Sequence, residues 1–135
     1  MKHYEQNHGY TLFEILIVVA IVALLATIAI PNILRVKQNS NDALAMVTLR
    51  TISTAAENFS SANNGDFPPD AVSMVTAKPP FLNFNYCTTE PFAGYTYDCS
   101  GMSSSGYTII ARPICRGITG STTFTMTTGG VLTTS

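Results

Sequence analysis

Tryptophan is absent, histidine occurs only at His3 and His8, and charged side chains make up just 11% of the 135 residues. Each scarcity closes off a class of function. With no histidine beyond residue 8 and no Cys-x-x-Cys, a zinc site has almost no ligands to draw on. Neither a Gly-x-Ser-x-Gly nor a phosphate-binding loop occurs and the acids are scattered, so no catalytic set is found and an enzyme is not expected. Seven basic and eight acidic residues give a formal net charge of −1, which offers nucleic acid no basic stripe. A chain of this length has room for one small domain.

Against that poverty stands one long apolar run. From Ile15 to Ile30 the only polar side chain is Thr27, and carried on to Leu34 the run covers 20 residues. As a helix it is about 30 Å long, enough to cross a bilayer core. One acid, Glu14, sits at its start. An ionised carboxylate near hydrocarbon costs roughly 2.5–3.5 kcal/mol unless it is paired or kept at the interface. The nearest cation on the N-terminal side is Lys2, and Arg35 lies a membrane thickness away, so no basic side chain reaches Glu14 within a helical turn. The remaining candidate partner is a backbone amine created by cutting the chain just upstream.

Gly9-Tyr10-Thr11-Leu12-Phe13-Glu14 followed by the apolar run closely resembles the class III signal of type IV pilins and type II secretion pseudopilins. The resemblance implies that a prepilin peptidase cuts between Gly9 and Tyr10, removes residues 1–9 as a leader and methylates the new Tyr10 amine. It further implies that Glu14 acts in filament assembly. Tyr10 stands where phenylalanine is commonest and Phe13 where an aliphatic residue is, both conservative in size and polarity. Two other readings fit less of the chain. A secretory signal would need a basic first region and a small-residue cleavage site, but Met1 to Gly9 holds one Lys and one Glu, and Thr27 to Ala29 is a weak site. A plain single-pass anchor leaves both Glu14 and the leader without a role.

Beyond Pro31 the helical pattern continues with a narrower apolar stripe at Leu44, Val47, Ile52, Ala55, Ala56 and Phe59. Asn63-Asn64-Gly65 then stops it and Pro68-Pro69 forbids resumption, so one helix from Tyr10 to Ala62 is expected. Pro31 removes a donor inside that helix, which predicts a kink or a locally unwound turn. In the resembling family the corresponding region, here about Ala23 to Pro31, can lose helicity on assembly. Gly65 to Glu90 reads as a loop with one helical turn near Ala71 to Val75. Tyr95 to Tyr97, Tyr107 to Ala111, Thr122 to Met126 and Val131-Leu132 read as strands, with Gly129-Gly130 as a two-residue hairpin turn. Three or four antiparallel strands covering the stripe give an α+β head of two layers, and the resemblance implies that it is a type IV pilin-like fold. The expected divisions are a leader at 1–9, a transmembrane or filament-core helix at 10–34, an amphipathic helix at 35–62 and a globular head at 63–135.

All three cysteines, Cys87, Cys99 and Cys115, lie beyond the membrane segment, where an oxidising compartment would keep disulfides. If Tyr95 to Cys99 pairs with Tyr107 to Arg112, Cys99 falls near Tyr107 while Cys115 runs back toward Cys87. A Cys87–Cys115 bridge with Cys99 free is therefore expected. Asp66 with Asp70, or Glu90 with Asp98, are the candidate ligands for a calcium ion of the kind the resembling pseudopilins hold. Here Ser100 to Gly106 replaces the expected Asp and Gly cluster, so solvated turn acids are the better reading and no metal or other cofactor is expected. The sequon Asn58-Phe59-Ser60 is read as chance.

The resemblance implies a structural pilus subunit for adhesion, motility or uptake, or a pseudopilin that pushes proteins through a secretion system. A membrane-anchored binding module that never polymerises is the further alternative. The implied partners are other copies of the chain and related minor subunits, the prepilin peptidase, an inner-membrane assembly platform and the membrane itself. Localisation follows as bacterial inner membrane before assembly, then an extracellular pilus or a periplasmic pseudopilus.

Overall fold

The structure, a computed structural model, describes residues 9–135, so the leader up to His8 lies outside the described residues. Its first element is α1, Leu12–Ala62, a helix of 51 residues. No glycine interrupts it, and it continues as a helix through Pro31. Termination follows the sequence signal in detail. Asn64 takes the left-handed conformation at φ 57° and the Gly65 amide returns to the Ser60 carbonyl at 2.9 Å, so the final turn closes with its carbonyl satisfied.

The chain divides into two units, one ending at Arg35 and the other running from Val36 to Ser135. In the second unit, α1 lies against an antiparallel sheet of β1 (Tyr95–Asp98), β2 (Thr108–Pro113), β3 (Phe124–Thr127) and β4 (Val131–Thr134), paired in chain order. This is the α+β arrangement expected of the alternating runs. Period-two alternation turns Tyr95, Tyr97, Ile109, Ala111, Phe124 and Met126 inward. In register, Tyr97 faces Ala111 and Ala111 faces Phe124, so a small residue separates two large rings. A short helix, α2 (Ala71–Thr76), covers one side of the core with Ala71 and Met74.

The face that α1 buries keeps the expected Ile52, Ala55 and Ala56, with Phe59 packed against them, but departs from the expected stripe at Leu44 and Val47. Ala45, Leu49, Ile52 and Ala56 are fully buried with Ala55 nearly so, whereas Leu44 and Val47 stand 45% and 57% exposed. The physical reason is close approach: alanines at 45 and 56 let the sheet come near the helix, and Ser53 and Thr48 join them among the buried residues. Reading only large apolar residues displaces the beginning of the stripe, to Leu44 and Val47 in place of Ala45 and Leu49. The β3–β4 connection also differs, because Thr127 pairs with Val131 and the loop has three residues, Thr128 to Gly130, not two. Both glycines take positive φ there, 82° and 72°.

The disulfide corrects the expected pairing. Cys87 is bonded to Cys99 with Cα atoms 5.7 Å apart, and Cys115 is free and exposed. The β1–β2 pairing is the anticipated hairpin, with Asp98 opposite Ile110. What the sequence reading missed is a second reversal just before it. Ala93 and Gly94, both at positive φ, form a tight turn in which Phe92 and Tyr95 exchange backbone hydrogen bonds. The preceding segment therefore runs back beside β1, Tyr86 packs edge-on to Tyr97, and Cys87 returns to the level of Cys99. Cys115 is left at the opposite end, where the neighbouring Ile114 amide meets the Gly94 carbonyl at 3.0 Å.

Candidate functional site

The N-terminal turn of α1 is built by four residues. The Thr11 amide donates to Glu14 Oε2 at 3.0 Å and its hydroxyl to the same oxygen at 3.3 Å, while the Glu14 amide donates back to Thr11 Oγ1 at 3.2 Å. This is a capping box: two of the helix's first four amides, which have no intrahelical acceptor, are satisfied reciprocally. Thr-x-x-Glu before an apolar run is its sequence signature, and Thr11 is thus a site residue that reasoning from charge alone passed over. Gly9 and Tyr10 precede the helix, exposed, with Tyr10 at 82%. The cap supplies neutral donors, so it satisfies the carboxylate oxygen without cancelling its charge. Both bonds fall on Oε2.

From Leu12 to Leu34 the first unit is apolar on every side, and its large side chains are all exposed. Thr27 hides its polarity inside the helix by donating its hydroxyl to the Ala23 carbonyl at 2.9 Å. Pro31 follows one turn later and has no amide to offer the Thr27 carbonyl. This helix is long and apolar enough to cross a membrane. A helix that is hydrophobic all round is stable only when something covers all of it, either lipid or neighbouring helices.

In the second unit, polar residues on α1 fasten the sheet and its loops. Tyr95 donates its hydroxyl to Asp42 Oδ1 at 2.6 Å and to the Thr122 carbonyl at 2.8 Å, and Ser121 donates its amide to Asp42 Oδ1 at 3.1 Å. Burial opposes ionisation of Asp42, but the hydrogen bonds from Ser121 and Tyr95 together outweigh it and hold the carboxyl below its usual range. Burial and the neighbouring Asp42 charge push the Tyr95 phenol up. Further along the helix, Glu57 Oε1 accepts from the Tyr107 hydroxyl at 2.8 Å and from the Gly129 amide at 2.9 Å. Asn41 donates to the Thr119 carbonyl at 2.7 Å, and Gln38 to the Gly117 carbonyl. No sequence motif announces these contacts, because each bond from α1 joins residues at least fifty positions apart.

Two of the candidate calcium ligands, Asp70 and Asp98, have structural partners. Asp70 caps α2 by accepting from the Ser73 amide at 2.7 Å, and Asp98 accepts from Ser100 and pairs with Arg112 at 3.2 Å. In the sequon, Asn58 is exposed while Ser60 is buried.

Fold and site together define a class: a small α+β head whose first helix begins with a capped glutamate and continues as a membrane-length apolar rod. Comparison with known proteins agrees with it. A family model described as the prokaryotic N-terminal methylation motif matches residues 6–30. The chain is 43% identical over 56 residues to the type IV major pilin protein PilA of Myxococcus xanthus, a match covering 42% of this chain and 26% of that protein. It is 29% identical over 103 residues to the type IV wide pilus major component PilA4 of Thermus thermophilus, covering 76% of this chain and 71% of that one. The chain thus spans about a quarter of the first relative's length and most of the second's. The chain is thus similar to type IV pilus major components and carries the N-terminal methylation motif over residues 6–30.

Proposed function

We propose that this chain is a structural subunit of a type IV pilus, held in the membrane by its first helix and then packed helix against helix into a filament. The observation that carries the reading is the capped Glu14 turn leading a helix that is apolar and exposed on every side. Such a surface is suited first to lipid and then to other copies of itself. Both named relatives are pilus components, which favours the pilus over a secretion filament. A prepilin peptidase would cut between Gly9 and Tyr10, which precede the helix and are exposed to it. Methylation of the Tyr10 amine would follow, and an inner-membrane platform would receive the mature subunit.

Assembly then pairs two charges that are costly alone. The Tyr10 amine of one subunit and the Glu14 carboxylate of another meet in a low-dielectric bundle of helices, which sets the axial register of each addition. Thr11 holds one carboxylate oxygen and the incoming amine takes the other. Deletion of the gene followed by electron microscopy tests the proposal. Long surface fibres lost on deletion and restored by the intact gene are expected, and fibres unaffected by deletion would refute it.

A further inference from the structure

The loop that follows β2 leaves Ile114 51% and Ile118 61% exposed, with Arg116 exposed between them. Its backbone is tied within itself. The Cys115 carbonyl accepts from the Ile118 and Thr119 amides at 3.0 and 2.9 Å, the Gly117 amide donates to the Gly120 carbonyl at 2.8 Å, and the Cys115 amide donates to Thr119 Oγ1 at 3.0 Å. These groups keep their partners when the loop leaves water. The loop is fastened to the start of the head's part of α1, where Gln38 donates to the Gly117 carbonyl and Asn41 to the Thr119 carbonyl at 2.7 Å. Gln38 is four residues beyond Leu34, where the apolar run ends. Four residues span no more than about 14 Å in any conformation, and the headgroup layer on each face of a bilayer core is roughly 5–8 Å deep. Connectivity alone therefore keeps this loop beside the headgroups while the run lies in a membrane.

We propose that the loop from Ile114 to Ile118 is a membrane-surface contact, its two isoleucines entering the headgroup layer of an anionic bilayer while Arg116 and Lys37 meet lipid phosphates. The inference rests on the reading that the first half of α1 spans a membrane, and it adds a second point of attachment in the head. Charge supports this occupant. Lys37 and Arg116 are exposed, and among the described residues neither forms an ion pair. Arg116 spends only its Nε on the Ser121 carbonyl, at 3.2 Å. Asp42, the nearest acid along α1, is already engaged by Tyr95 and Ser121. Exposed apolar side chains beside free cations are the pattern that lies in a membrane interface. A head held at two points cannot turn freely about α1, and the loop must leave the lipid when the subunit does.

Cys115 is the free thiol, so a nitroxide on it reports on the loop of the full chain without any substitution. The comparison site is Ser104→Cys in a Cys115→Ser background. The Ser104 carbonyl accepts from the Phe67 amide beyond the end of α1, about 30 Å of helix from Asn41. In vesicles of phosphatidylcholine and phosphatidylglycerol, collisions of a water-soluble nickel complex with the label are expected to be at least threefold rarer at Cys115 than at position 104. Ile118→Glu and Arg116→Glu are each expected to remove that difference, with the Cys87–Cys99 bridge retained as the sign of a folded head. Equal collision rates at the two sites, or protection unchanged in both variants, overturns the proposal. So does equal protection in vesicles of phosphatidylcholine alone, which removes the role of charge, and protection that vanishes on dilution with lipid, which assigns the loop to a second copy. A label at Val22→Cys in the Cys115→Ser background tells the two failures apart: water contact there defeats the membrane reading as well, whereas a deeply buried label there with an unprotected Cys115 defeats the loop contact alone.

Discussion

Replacing Glu14 by glutamine separates the two duties of that side chain. Glutamine keeps an amide oxygen where Glu14 Oε2 accepts from the Thr11 amide and hydroxyl, so the cap survives at a cost of a few tenths of a kcal/mol. Only the charge is lost. If the Tyr10 amine of a neighbour is buried beside that position, it is left as an unpaired cation in an apolar bundle, and breaking a buried pair in this way costs about 3–5 kcal/mol. At about 1.4 kcal/mol per factor of ten, subunit addition is weakened roughly a hundredfold or more. Glu14→Ala adds loss of the cap, about 1 kcal/mol, and is expected to be somewhat worse. Thr11→Val removes the hydroxyl but keeps the charge and is expected to be the mildest of the three. Intact mass establishes cleavage in each variant, and electron microscopy counts the filaments. Normal filament numbers in Glu14→Gln with full cleavage would refute the pairing and leave packing as the assembly force.

Mass spectrometry of the mature chain is expected to find N-methyltyrosine at Tyr10 as the first residue, and any other start, an intact Met1 included, contradicts the cleavage assignment. Cys87→Ser should lower head stability by about 3 kcal/mol, the scale for a loop of this size, while Cys115→Ser stays within about 0.5 kcal/mol. Denaturant unfolding in detergent measures both, and peptide mapping that finds Cys115 in the crosslink would be contrary. Asp42 and Asp98 are held below their ordinary value of 3.8, so their contribution is present above that pH and lost as pH falls through the lowered folded values. Tyr95 is raised above 10.0, so its contribution is intact below pH 10 and declines as pH rises beyond it. Unfolding midpoints should therefore fall below about pH 4 and above about pH 10, and the alkaline fall should be reduced in Tyr95→Phe.

The long helix, its stop at Asn64-Gly65, the turn near Ala71 and the β1–β2 hairpin were legible because each rests on local chemistry: apolar period, a left-handed position, alternation of faces. The disulfide was not, because it depends on a reversal at Ala93-Gly94 whose first residue is an alanine at φ 51°, a conformation that its side chain does not advertise. The beginning of the buried helix face, read at Leu44 and Val47, was misplaced for a related reason. Burial at Ala45, Ser53 and Ala56 reflects how closely the sheet approaches, and closeness is a tertiary property that favours small residues over the large ones a periodicity count rewards. At the N-terminus the opposite happened. Thr11-x-x-Glu14 is a purely local signal, but attention to the cost of the charge hid the simpler service it performs for the helix.

The scarcity of charge acquires a physical reason once the two units are considered separately. The second unit buries its own core with α1, α2 and the sheet, and it needs its polar groups inside: Asp42, Ser53 and Glu57 on the helix bind Tyr95 and Tyr107 on the sheet side. Among the described residues of the first unit none is buried. Every large side chain from Leu12 to Leu34 must find lipid or another subunit, and a charge anywhere along it would oppose both environments. A single carboxylate is tolerated at the one point where the helix's own unpaired amides can bond it. That placement satisfies one carboxylate oxygen through the cap and, under the proposed pairing, leaves the charge of Glu14 available for the packed filament. Glu14→Gln and Thr11→Val divide these contributions, the first acting on the packed state and the second on the cap.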